Sequence, residues 1–119
     1  MKVLLIEDDA ALQRMTTRLI RRAFAPVDIA IDIADSPSSA IALLEANTYD
    51  FVLSDFNVNH GTGGDVLVWI RANQRHMIER FVFFSGAKNL DLWHHKVIAK
   101  GIDSTTFVDL LRGYVLVMP

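Results

Sequence analysis

Three short runs of this chain are apolar at every position: Val3-Leu4-Leu5-Ile6, Phe51-Val52-Leu53 and Phe81-Val82-Phe83-Phe84. Each ends abruptly in acids or hydroxyls, namely Glu7-Asp8-Asp9, Ser54-Asp55 and Ser85. A strand with no polar side must be covered on both faces, which suits the interior of a parallel sheet. Parallel neighbours need long crossover connections. The stretches between the runs are longer and carry apolar residues at helical spacing. The pattern specifies an α/β domain with a mostly parallel sheet.

The first helix is expected over residues 10–24, with Leu12, Met15, Leu19 and Ala23 inward. Arg14, Arg18, Arg21 and Arg22 then form a solvated face, and Pro26 stops the helix. Isoleucines alternate with Asp and Ala through residues 28–34, as in a strand near a sheet edge with one well-buried face. Ser36-Pro37 has the form of an N-cap followed by proline at the first helical position. The second helix should bury Ala40, Leu43 and Leu44, and Asn47 should end it. Residues 57–64 hold three glycines and read as a loop, more mobile than usual. A third helix over 65–73 presents Val66, Leu67 and Ile70. A fourth over 90–100 places Trp93, Val97 and Ile98 on one side, with Gly101 as its closing residue. Thr105-Thr106-Phe107-Val108 is a weaker fifth strand, and residues 110–119 fit no element cleanly.

A chain of 119 residues suits a single domain over 1–119. The expected architecture is a flavodoxin-like, doubly wound, five-stranded parallel sheet of order 2-1-3-4-5, with a short or irregular last helix. A hydrophobic fraction of 51% excludes disorder. A net charge of −2 gives no bulk attraction to nucleic acid or to an anionic membrane. The absence of cysteine removes disulfides, thiolate nucleophiles and Cys-based zinc sites, and fits a cytoplasmic location. The apolar run before Glu7 is too short for a signal peptide or a membrane span.

In such a sheet, ligands bind beyond the C-terminal strand ends at the switch in strand order. The acids after strand 1, Asp55 after strand 3 and Ser85 after strand 4 converge there. Carboxylates about 5 Å apart repel by roughly 3 kcal/mol at an effective dielectric near 20. The cluster therefore calls for a cation, a shared proton or ample water. Oxygen-only ligands favour a hard cation, Mg²⁺ above all. A carboxylate beside such an ion can itself attack phosphorus, and a hydroxyl one strand away can donate to a phosphoryl oxygen.

The segments LLIEDDAAL, YDFVLSDFNV and FVFFSGA resemble the receiver domain of bacterial two-component response regulators, over about residues 2–108. The resemblance implies that Asp55 is the phosphoacceptor. It implies an Mg²⁺ site made by Asp8 directly, Glu7 through water, Asp55 and the backbone carbonyl of Asn57, with Asp9 outside it. Ser85 matches the switch hydroxyl that turns toward the phosphoryl group, and Gly63 the glycine eight residues after the acceptor.

Departures accompany the resemblance. The family's proline four residues after the acceptor is Asn59. Its strand-5 lysine, followed by proline, is expected at Val108-Asp109, so the lysine is missing, and its aromatic switch position falls at Thr105. Lys88, three residues after Ser85, is a candidate substitute cation. The apolar C-terminus suggests self-association, or partner docking, on the face made by strand 4, strand 5 and the last helix.

Other residues carry less. His94 and His95 point to different sides of a helix and make a poor metal pair. His60 is a solvated loop residue, the arginine group is too small to argue for nucleic acid, and Trp69 and Trp93 are packing residues. Asp-x-Asp phosphatase and nuclease motifs are absent, as is a flavodoxin phosphate loop.

The leading expectation is a stand-alone receiver phosphorylated on Asp55 by a histidine kinase or phosphotransfer protein. It would have no enzymatic activity beyond self-phosphorylation, and would signal through contacts with a downstream protein or a second copy, with neither nucleic acid nor membrane as a partner. The alternative is a degenerate receiver serving as a phosphorylation-independent binding or dimerisation module.

Overall fold

The computed structural model describes residues 1–86 and 95–118. Its elements run β1 (Lys2–Ile6), α1 (Ala10–Phe24), β2 (Ala30–Ala34), α2 (Pro37–Ala46), β3 (Phe51–Ser54), β4 (Asn57–Val58), β5 (Gly61–Thr62), α3 (Gly63–Asn73), a 3₁₀ turn (Arg75–Arg80), β6 (Phe81–Ser85), β7 (Val97–Ala99) and α4 (Ser104–Leu116). Five strands form a parallel sheet of order β2-β1-β3-β6-β7, which is the expected 2-1-3-4-5 order of a flavodoxin-like fold.

The continuously apolar strands are covered on both faces. Leu4, Ile6, Val52, Phe81 and Phe83 pack on one side with α2 and α3. Val3, Leu5, Phe51, Leu53, Val82, Phe84 and Ile98 pack on the other with α1 and α4. Strand β2 lies at the edge, where Ile33 is 43% exposed.

Local caps set the helix ends. The Asp9 side chain accepts from the Leu12 amide and starts α1. Ser36 and Ser39 form a reciprocal capping box at the start of α2, with Pro37 in the first turn and Asn47 as C-cap. These are the boundaries that sequence reasoning specifies. The inward face of α1 is turned by one residue from the expected one. Thr16, Ile20 and Ala23 are buried, whereas Met15 is 43% exposed.

Two further expectations need correction. Residues 57–64 are no open loop: β4 and β5 pair as a miniature antiparallel hairpin. Val58 enters the core, the Asn59 amide bonds the Asp35 carbonyl, and Thr62 caps α3 with Asp65. Tertiary contacts, invisible to local composition, hold it in place. His60, exposed at its tip, has a left-handed φ of 61°.

The larger correction concerns the fifth strand. It is Val97–Ala99 rather than residues 105–108, so the end of the expected fourth helix is strand. Phe107 and Val108 belong to α4, where both are buried against the sheet. That helix is a regular 13-residue element in place of the short or irregular one expected. It starts at Ser104 because Asp103 accepts from the Thr106 amide and hydroxyl. Lys88, Trp93 and His94 lie outside the described residues.

Candidate functional site

Strand register brings the polar strand ends to one place. Ile6 pairs with Ser54, and Ser54 with Phe83, so Glu7, Asp55 and Ser85 follow at neighbouring strand ends. The carboxylates of Glu7, Asp8 and Asp55 offer oxygens that all lie within 4.8 Å of one another. Glu7 is 2% exposed, Asp55 is half-buried and Asp8 is exposed.

The missing lysine is present, eight residues before its expected position. Lys100 directly follows β7, and its Nζ lies 2.8 Å from Asp55 Oδ2 and 3.0 Å from Glu7 Oε1. Val108, by contrast, is a packing residue of α4. The displacement has a physical cause. Val97 and Ile98 recur with Trp93 at helical spacing, and three residues of strand are too few to establish a period of two. One signal was available: Val97-Ile98-Ala99 followed by Lys100 repeats the form of the inner strands β1, β3 and β6, an apolar run that stops at a polar residue. With the lysine at 100, the aromatic position three residues earlier moves from Thr105 to Val97, which is not aromatic. Gly101 follows a strand rather than closing a helix, and its φ is +92°.

The site is braced by its own backbone. The Phe56 amide donates to Asp55 Oδ1 at 2.7 Å, while the Ser54 hydroxyl donates to the Asp55 carbonyl at 2.7 Å. The amides of Asp8 and Asp9 donate to Glu7 Oε2 at 3.1 and 3.3 Å. The Gln13 side-chain amide donates to the Glu7 carbonyl at 2.7 Å, tying α1 to the strand end. Gly63 is required by crowding, since a Cβ there would stand 2.3 Å from the Asp55 carbonyl oxygen. Ser85 is 4% exposed, and its carbonyl accepts from the Lys100 amide at 3.2 Å. Asn57 opens the hairpin two residues past Asp55. Lys100 Nζ also lies 5.7 Å from the centre of the Phe84 ring.

Burial and pairing act in opposite senses on the Lys100–Glu7 pair. Burial dominates at Glu7 and raises its carboxyl above the usual range, against the bonds from Lys100 and the Asp9 amide that lower it. At Lys100 burial favours the neutral amine, but the hydrogen bonds to Asp55 and Glu7 outweigh it and raise its pKa. The exposures agree with this division: the Glu7 side chain is 3% exposed and that of Lys100 22%.

Three carboxylates without nitrogen or sulfur donors are a fitting ligand set for a hard divalent cation. Among the other residues singled out by sequence, Trp69 packs against the α2–α3 side of the core. His95 hydrogen-bonds the Phe81 carbonyl and lies edge-on to the Phe81 and Phe83 rings. No described helix is long and apolar enough to cross a membrane.

Comparison with known proteins agrees with this fold. The model of the response regulator receiver domain matches residues 3–109. The chemotaxis protein CheY of Pseudomonas aeruginosa is 30% identical over 78 residues, which is 63% of this chain and 58% of that protein. Among solved structures, the non-phosphorylated HemR receiver domain from Leptospira biflexa superposes with a TM-score of 0.80 at 21% identity, covering 99% of this chain and 96% of its own. Response regulator TrrA from Thermotoga maritima, solved in complex with Mg²⁺-BeF, gives 0.79 at 14% identity, covering 95% and 97%. The Mn²⁺-bound form of response regulator Rcp1 gives 0.72 at 20% identity, covering 94% and 89%.

Proposed function

The chain belongs to the response regulator receiver family, and on that footing we propose that it accepts a phosphoryl group on Asp55 from the phosphohistidine of a kinase or phosphotransfer protein, in the presence of Mg²⁺. The observation that carries this is the Lys100 ammonium bridging Asp55 and Glu7, beside a third carboxylate within 4.8 Å. The Mg²⁺ of the TrrA structure supports Mg²⁺ as the cofactor, and the Mn²⁺ of Rcp1 supports a hard divalent ion in such a fold. Glu7, Asp8, Asp55 and the Asn57 carbonyl would hold it.

In the transfer, an Asp55 carboxylate oxygen attacks phosphorus. The donor's P–N bond breaks and its electron pair stays on that imidazole nitrogen, so the imidazole leaves neutral with its proton on the other ring nitrogen. A divalent ion held by Glu7, Asp8, Asp55 and the Asn57 carbonyl would supply charge neutralisation. The Phe56 amide fixes the carboxylate, the Lys100 ammonium pairs with the new negative charge, and the Ser85 hydroxyl donates to a phosphoryl oxygen. The protein catalyses no other reaction in this reading. It works in the cytoplasm and signals through protein contacts on the face of β6, β7 and α4, where Leu110 is 40% and Leu116 79% exposed. The binding-module alternative rests on a missing lysine, a missing aromatic and an apolar C-terminus; Lys100 removes the first of these grounds, while Val97 leaves the aromatic position without a ring.

Mass spectrometry after incubation with acetyl phosphate and Mg²⁺ tests the proposal. The wild type should gain one phosphoryl group and Asp55→Asn none. Equal labelling of both, or of neither, refutes it.

A further inference from the structure

Lys100 is fixed at two points. Its amide donates to the Ser85 carbonyl at 3.2 Å, and its Nζ bridges Asp55 and Glu7 at 2.8 and 3.0 Å. The backbone beyond it is free to vary only through the residue that follows. Gly101 has a φ of +92°, and a Cβ added there would meet nothing within 4 Å among the described residues. Crowding therefore does not require this glycine, and the dihedral alone does. That φ is open to glycine and strained for residues with a side chain. Proline cannot adopt it, because its ring holds φ near about −65°.

The elements on either side cannot absorb a change. Strand β7 is held by pairing with β6, from Phe83↔Val97 to Ser85↔Ala99. Helix α4 is held by its cap at Asp103 and by buried Phe107, Val108 and Leu111. Only Lys100, Gly101 and Ile102 join them, and Ile102 packs against the core on the α1 and α4 side. A forced change of φ at 101 is therefore relieved at the expense of the contacts of Lys100, whose side chain is 22% exposed.

We propose that Gly101 is a positioning residue for the pocket: its left-handed backbone directs the Lys100 ammonium onto Asp55 and Glu7. The inference deepens the reading of Asp55 as phosphoacceptor and rests on it for its activity readout. It has a second readout that does not. Lys100 competes with a divalent ion for two of the three carboxylates, so turning the ammonium away should leave Mg²⁺ bound more tightly while phosphoryl uptake slows. A residue that merely supports the fold would weaken both.

The test uses the full chain with Mg²⁺ alone, followed by calorimetry, and acetyl phosphate labelling, followed by mass spectrometry. Lys100→Met should tighten Mg²⁺ binding and slow labelling by roughly tenfold to a few hundredfold, the worth of a charged hydrogen bond. Gly101→Ala should move both quantities in the same directions by roughly threefold to tenfold, and Gly101→Pro by more. Gly101→Asn should change least, because asparagine tolerates left-handed backbone. In the Lys100→Met background, Gly101→Ala should have no further effect on either quantity. Weaker Mg²⁺ binding by Gly101→Ala, no change in it, or an undiminished effect without Lys100 overturns the proposal. If no variant is labelled at all, the phosphoacceptor reading fails, while the Mg²⁺ titrations still decide the role of Gly101.

Discussion

Replacing Gly63 by alanine should damage the fold beside Asp55. The new Cβ would stand 2.3 Å from the Asp55 carbonyl oxygen, 2.6 Å from Ser54 Oγ and 3.2 Å from Phe83 Cε1. An ordinary carbon–oxygen approach is about 3.3 Å or more, so the Asp55 peptide or the start of α3 must retreat by about 1 Å. Overpacking of that kind costs about 1–3 kcal/mol. The same shift strains the Ser54 Oγ–Asp55 O bond and the 2.6 Å bond from the Gly63 amide to the Phe56 carbonyl, each worth about 1 kcal/mol. Alanine recovers about 0.5–1 kcal/mol of helix preference. The net loss is about 2–3 kcal/mol, read as a lower urea midpoint with unchanged slope. Gly113→Ala provides the contrast, since a Cβ there, within α4, would meet nothing within 4 Å among the described residues. It should gain about 0.5–1 kcal/mol. Equal midpoints for wild type and Gly63→Ala, or equal losses for the two variants, would refute the argument from close approach.

The remaining expectations concern buried polar groups. Thr16 is 0% exposed on α1, and its hydroxyl has no hydrogen-bond partner among the described residues. Thr16→Val should therefore raise stability by about 1 kcal/mol in urea unfolding, since it removes an unpaired hydroxyl at little change in shape. His95 has its pKa lowered, first by burial and also by the charges of Arg71 and Lys96, against the Phe81 carbonyl bond and Glu79, which raise it. Its stabilising contribution is complete above the unfolded value of 6.5 and is lost as pH falls through the lower folded value, because the unfolded ring binds more protons in between. The urea midpoint of the wild type should fall more steeply below pH 6.5 than that of His95→Phe, and parallel curves would remove His95 as the cause.

Where the sequence was legible, the controlling physics is local. Ser36 and Asn47 mark the ends of α2 through bonds within a few residues and Pro37 through its fixed φ, and apolar spacing up to Pro26 bounds α1, whose Asp9 cap the structure adds. The uninterrupted apolar strands show their two-sided burial in their composition. The inner face of α1 was harder, because Thr16 occupies a core position that polarity argues against. The β4–β5 hairpin was not legible, since its hold on Asp35 is tertiary. At the site, Glu7, Asp8 and Asp55 could be placed from strand ends alone. Lys100 could not be placed while its strand went unrecognised, and counting on to Val108 carried the lysine position into a helix. Sequence order locates a residue in a sheet only after its strand is known.

The charges of the pocket suggest an order in which its parts engage. Three carboxylates within 4.8 Å repel pairwise by at least roughly 3 kcal/mol at an effective dielectric near 20. Lys100, at 2.8 and 3.0 Å from two of them, attracts each by roughly 5–6 kcal/mol on the same scale. The ammonium thus offsets most of the mutual repulsion and lets Glu7 and Asp55 stand together without an ion. Asp8 is outside that bridge. It is exposed, and no cation among the described residues pairs with it. An incoming divalent ion therefore meets Asp8 before it competes with Lys100 for the other two. Asp8→Asn should weaken Mg²⁺ binding at least tenfold, about 1.4 kcal/mol, while leaving the urea midpoint unchanged or higher, because one repelling charge is gone and the Lys100 bridge is intact. Calorimetry with Mg²⁺ and urea unfolding of the same variant would measure the two effects. Unchanged affinity would mean that Asp8 is no ligand, and a lower midpoint would mean that its charge supports the fold instead of opposing it.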